Sequence, residues 1–205
     1  MKDIVLKILE ESVSVKERFI RNHVDRIVEA ADKLANVLEN GHKIMLFGNG
    51  GSAADAQHLA AEFVNRFQIE RPPLAALALT TDTSVITSIG NDYHFDDIFA
   101  KQIMALGQKG DAVIAISTSG NSGNVIKAVE MAKRIGVFTI GLTGGSGGKL
   151  AQCADMLFCV DSVVTARIQE THITLGHIFC DLVDRLLSSN GFIPKQEHKF
   201  YAVLY

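Results

Sequence analysis

The sequence predicts an α/β fold, a sheet covered by helices on both faces. Five short, nearly unbroken apolar runs carry the first part of that prediction: "KIMLFG" (43–48), "AALAL" (75–79), "DAVIAIS" (111–117), "FTIGLT" (138–143) and "MLFCV" (156–160). Runs of this length without polar alternation suit parallel strands buried on both sides. Helix-length segments separate them, which is the alternation expected of such a sheet. Longer stretches of helical period lie at either end.

In chain order, Ile4/Val5, Ile8/Leu9, Val24, Ile27/Val28, Ala31, Leu34 and Val37/Leu38 recur at helical spacing. They predict two helices, or one long broken helix, stopped by Asn40-Gly41. So apolar a face needs a partner, either the protein's own core or a helix bundle between subunits. Helices are then expected over 52–67, 95–105 and 121–134, with a shorter one at 147–154. A long final helix, about 166–189, stops at Asn190-Gly191. The closing "IPKQEHKFYAVLY" is apolar and aromatic, and is expected to dock on a neighbouring surface.

Bulk properties narrow the function. With 205 residues, 47% of them hydrophobic, the chain can bury one well-packed core, read here as a single domain over 1–192 with a tail at 193–205. A net charge of −3 and scattered basic residues argue against nucleic acid or an anionic membrane as partner. Cys153, Cys159 and Cys180 lack metal-type pairing and read as reduced thiols. No apolar stretch approaches a membrane span, and the charged N-terminus is unlike a signal peptide, so a cytoplasmic protein is expected.

Two loops follow strands and open helices. The first, in "LFGNGGSAADAQHLAAEF", has the loose dinucleotide spacing Gly48-x-Gly50-x-x-Ala53. A dinucleotide site also wants an acidic residue at the end of the second strand, and the nearest, Asp82, lies too far along. A Walker-type loop is excluded because no Gly-Lys-Ser/Thr follows. In the second, "STSGNS", Ser117, Thr118, Ser119 and Ser122 surround Gly120. Hydroxyls, free amides and the positive end of a helix dipole can together hold a phosphate without a lysine. A sugar phosphate fits this pair of loops better than a dinucleotide.

For chemistry, His58 and Glu62 share one face of the helix after the first loop. Glu62 sits inside the apolar run "LAAEFV", so its carboxylate is either buried or turned to a cleft, and both favour a useful base. The final helix carries Gln169, Glu170, His172 and His177; His172 reads more simply as a core or surface residue. Aldose–ketose isomerisation needs a base for carbon, an acid/base for oxygen and something to polarise the carbonyl. Glu62 and His177 can share the proton work, and a metal held by His58, Glu62, Gln169 and His177 can polarise the oxygens. Against that metal, Gln169 and His177 are eight residues apart, roughly 12 Å along a helix.

Several long motifs in order, "GNGGSAADAQHLAAEF", "RPPLAALALTTDTSVITSIGNDY", "ISTSGNS" and "ARIQETHITLGH", make the chain resemble the sugar isomerase (SIS) family and, within it, the phosphoheptose isomerase group. The resemblance implies a three-layer SIS-type fold with a five-stranded parallel sheet, assembled as a homotetramer with sites between subunits. It implies conversion of D-sedoheptulose 7-phosphate to D-glycero-D-manno-heptose 7-phosphate, a step toward the heptose of lipopolysaccharide and related glycans. By the same resemblance, substrate meets Asn49, Gly50, Gly51, Asn91, Asp92 and Gln169, with phosphate at Ser117, Thr118, Ser119 and Ser122. Glu62 becomes the base and His177 its acid/base partner, and His58, Glu62, Gln169 and His177 become zinc ligands. A non-enzymatic relative that binds the bacterial replication initiator shares similar stretches, but lacks counterparts of Glu62 and His177. Arabinose 5-phosphate isomerases usually carry extra domains for which this chain has no room. Sugar-phosphate-sensing repressors need a helix-turn-helix module, and none is present.

Overall fold

In the computed structural model, which describes residues 1–192, five parallel strands lie between two layers of helices. The C-terminal run 193–205, expected to dock on a neighbouring surface, falls outside the described residues. The elements are α1 (Lys2–Glu39), β1 (Ile44–Gly48), α2 (Gly51–Val64), β2 (Ala76–Ala78), α3 (Thr83–Asp92) and, after a 3₁₀ turn at Phe95–Asp97, α4 (Ile98–Leu106). There follow β3 (Ala112–Ile116), α5 (Gly123–Arg134), β4 (Phe138–Gly144), α6 (Leu150–Cys153), β5 (Met156–Val160) and α7 (Thr165–Ser189).

Strand order is β2-β1-β3-β4-β5, all parallel. Alternate side chains feed two cores. Ile44 and Leu46 of β1, with Ile114 and Ile116 of β3, meet Leu34, Leu59, Leu175 and Phe179 from α1, α2 and α7. Met45, Phe47, Val113 and Ala115 face the opposite way, toward Phe99, Ile103, Val125 and Val129 of α4 and α5. Burial on both faces is why these strands carry almost no polar residues.

Three elements differ from the sequence expectation. The N-terminal segment is one unbroken helix of 38 residues, with no glycine or proline inside it to break it. Its inward face is Val15, Phe19, Ile27, Ala31, Leu34 and Leu38, whereas Ile4, Val5, Leu6, Ile8, Leu9, Val24 and Val28 are exposed. The helix α3 was not expected at all. Val85, Ile86 and Ile89 give it little helix propensity, yet the Asp82 carboxylate accepts from Val85 N at 2.9 Å and caps it. The α6 helix shrinks to four residues because Gly147 and Gly148 take positive φ ahead of it. No helix among the described residues is long and apolar enough to cross a membrane.

Candidate active site

Order reversal in the sheet falls between β1 and β3, whose chains leave in opposite senses across the sheet. Such a switch point opens a crevice at the carboxyl ends of the strands. Both suspected loops arise there. Gly48 ends β1 so close to Ile116 O and Ser52 that a β-carbon would stand 2.8 Å from each. Gly50 turns the chain into α2 with φ 55°.

The two loops are tied together by a reciprocal amide pair, in which Asn49 Nδ2 donates to Asn124 Oδ1 at 2.9 Å and Asn124 Nδ2 returns the bond at 2.8 Å. Asn124 is buried at the start of α5. The Ser117 and Ser122 hydroxyls lie 3.0 Å apart, and Ser122, the residue preceding α5, makes no side-chain cap to that helix. Ser119 Oγ accepts from Asn121 N at 3.2 Å, and Thr118 O accepts from Gly144 N at 3.0 Å. Gly120, at φ 65°, packs on Gly147 of the next loop so tightly that no side chain fits. The Asp96 carboxylate lies against Gly123 at the same helix start, where the dipole favours negative charge.

Two turns along α2, a second cluster forms with α7. His58 Nε2 and His177 Nε2 are 2.8 Å apart, and Glu62 Oε1 is 3.5 Å from His58 Nε2. Phe67 stacks on His177, with centroids 5.3 Å apart. Glu62 is partly buried, its side chain 23% exposed, which lies between the two placements, buried or turned to a cleft, expected from "LAAEFV". Burial, and then the neighbouring charge of His58, holds the His177 imidazole below its usual pKa, against the upward pull of Glu62. Gln169 lies two turns before His177, over Gly51, where an added β-carbon would meet its amide nitrogen at 2.6 Å. It therefore lines the glycine loop.

Other expected residues are placed as follows. Asn91 and Asp92, at the end of α3, are exposed and bonded to each other at 2.8 Å. His172 is a core residue, as the simpler reading had it. Glu170 accepts from Arg167 and Ser12 at 2.6 Å each, joining α7 to α1. All three cysteines are free thiols.

As for zinc, no group of three His, Cys, Asp or Glu among the described residues stands ready to hold a metal. Two nitrogens on one tetrahedral zinc would sit about 3.4 Å apart, given bonds near 2.0–2.1 Å. The observed 2.8 Å is a hydrogen bond. The donor chemistry, two imidazoles and a carboxylate, nonetheless fits a catalytic zinc.

Sequence reasoning overlooked Asn124, Asp96, Phe67 and Asp55. Asp55 lies one turn before His58 with Oδ2 buried and unpartnered, and burial raises its carboxyl pKa. A lone acid in the alanine-rich start of α2 was the available signal.

The SIS domain family model matches residues 9–144. Over 187 residues the chain is 55% identical to phosphoheptose isomerase of Nitratidesulfovibrio vulgaris, covering 91% of this chain and 90% of that protein. This chain belongs to the phosphoheptose isomerase family. A second member, from Aneurinibacillus thermoaerophilus, is 50% identical over 94% of this chain and 98% of its own. The solved phosphoheptose isomerase of Neisseria gonorrhoeae superposes with a TM-score of 0.85 at 48% identity, covering 90% and 98% of the two chains. The five-stranded parallel sheet is thus that of phosphoheptose isomerases, and the protein is an enzyme of that family.

Proposed function

We propose that the protein converts D-sedoheptulose 7-phosphate to D-glycero-D-manno-heptose 7-phosphate through an enediol. The observation that carries this reading is that Glu62 and His177, from helices far apart in sequence, both lie against His58. The hydroxyl loop Ser117–Ser122 receives the phosphate, with Asn49, Gly50, Gly51 and Gln169 along the sugar and Asn91 and Asp92 at its periphery. His58 is seven residues beyond Gly51, about 10 Å along α2.

Glu62 takes the proton from C1 of the ketose and the electron pair moves to make the C1–C2 double bond. The C2 carbonyl oxygen gains a proton from the His177 imidazole as the enediol forms. His177 then removes the O1 proton, and Glu62 returns its proton to C2, leaving the aldehyde at C1. Burial and the neighbouring charge of His58 favour the neutral His177 ring, which passes a proton between the two sugar oxygens. His58, Glu62 and His177 would hold a zinc ion, which would supply Lewis-acid polarisation of the sugar oxygens. Gln169, which lies over Gly51 of the glycine loop, serves the sugar in this arrangement.

Assembly as a cytoplasmic homotetramer is part of the same proposal. Its support is the apolar surface of α1, where Val5, Leu6 and Leu9 are more than half exposed.

The decisive experiment is incubation of purified protein with sedoheptulose 7-phosphate, with and without chelator, followed by product identification. Turnover is expected to fall with chelator and to return with zinc. Glu62→Gln should abolish turnover while keeping affinity for sugar phosphate; near-normal turnover in that variant removes Glu62 as the base.

A further inference from the structure

Arg71 lies outside every loop considered so far, in the connection between α2 and β2, and its side chain is fully buried. Its guanidinium serves two elements at once. Nε donates to Asp184 Oδ1 of α7 at 2.5 Å. On the other side, Nη2 donates to the backbone carbonyl of Glu62 at 2.9 Å, and Nη1 to that of Phe63 at 2.8 Å. Both carbonyls belong to the last turn of α2, where helical geometry leaves them without intrahelical donors. A cation there also meets the negative end of the helix dipole.

The placement matters because of what the clamped residues carry. Glu62 presents its side chain to the imidazole pair from the same residue whose carbonyl Arg71 holds. Asp184 stands seven residues after His177, two turns further on, so both project from about the same face of α7. One planar cation therefore fixes the end of α2, which carries Glu62, against α7 two turns beyond His177. Only the fork of an arginine can meet a carboxylate and two carbonyls in one plane; an ammonium cannot.

We propose that Arg71 is a positioning residue for the isomerisation, holding Glu62 at its working distance from His177. This rests on the assignment of Glu62 and His177 as the proton-transfer pair. Arg71 touches no substrate. Displacement of a reacting group by about 1 Å costs roughly 100-fold in rate.

The test is steady-state isomerase kinetics of the full-length protein with Arg71→Lys and Asp184→Asn, beside melting curves and the inhibition constant of inorganic phosphate. Expected for folded Arg71→Lys is a kcat lower by about 100-fold, with KM and the phosphate constant within about twofold of the parent, since the hydroxyl loop lies on other elements. Asp184→Asn, which loosens the anchor while preserving its shape, should show the same split to a smaller extent, and it decides the matter if Arg71→Lys does not fold. A kcat within about twofold of the parent in either folded variant overturns the proposal, as does a loss of kcat that only tracks a lost folded fraction or a parallel change in KM. Glu62→Gln separates the two layers: if that variant stays active the base assignment fails, and if it is inactive while Arg71→Lys is fully active only the positioning role fails.

Discussion

Acid should weaken this fold through one buried imidazole. His172 of α7 is 1% exposed, and its Nε2–H donates to the Thr143 carbonyl at 3.0 Å. Its Nδ1 is buried with no partner, so a proton added there would sit as an unpaired cation in the core. Burial, opposed more weakly by the Thr143 carbonyl, lowers the pKa from 6.5 to about 4. In the unfolded chain the ring returns to its ordinary value near 6.5. Between about 4 and 6.5 the unfolded state binds the extra proton, so stability rises with pH there. The contribution is whole above pH 6.5 and is lost as pH falls toward 4. A gap of about 2.5 units at 1.36 kcal/mol each gives about 3 kcal/mol. The assay is urea unfolding followed by circular dichroism from pH 8 to pH 4.5, in the parent and in His172→Gln, whose amide can keep the bond to Thr143. Asp55 and Asp184, whose carboxyls burial raises, tilt the profile the opposite way, but they are common to both proteins and cancel in the difference. A parent-minus-variant difference that stays flat across this range would refute the reasoning.

Two further outcomes test the loops. Ser119→Ala with Ser122→Ala should raise KM for the sugar phosphate by about 100-fold, from two charge-assisted bonds of about 1.5 kcal/mol each, with little change in melting temperature; unchanged KM and inhibitor affinity would place the phosphate elsewhere. Gly120→Ala introduces both a positive-φ penalty and a collision with Gly147, together about 3 kcal/mol, and should lower the melting temperature by about 6–12 °C in calorimetry. A drop of less than 2 °C would show that the loop yields.

The sheet was legible because central parallel strands announce themselves as unbroken apolar runs, and Ile44–Gly48 and Ala112–Ile116 do. The edge strand β2 was read two residues too long, since its exposed flank carries the same alanine and leucine as its interior. Helix α3 was missed because none of its residues is buried and its branched side chains suggest other structure. In the site, His58 and Glu62 were legible from helical spacing alone, and His177 as the imidazole of a distant helix. Arg71 was not, because its carboxylate partner lies 113 residues away and an arginine before Pro72-Pro73 reads as loop. Nor could spacing say that Gln169 would settle over Gly51, which depends on how far α7 slides along α2.

That alignment of α2 with α7 is pinned at three heights: Gln169 over Gly51, Gly176 beneath Leu59, and Asp184 on Arg71. Each residue of an α-helix turns the chain by 100°. One amino acid added or deleted between 169 and 184 would thus swing everything downstream off its mate, and no compensating slide could restore all three contacts. In this stretch the chain can drift in residue type but not in length.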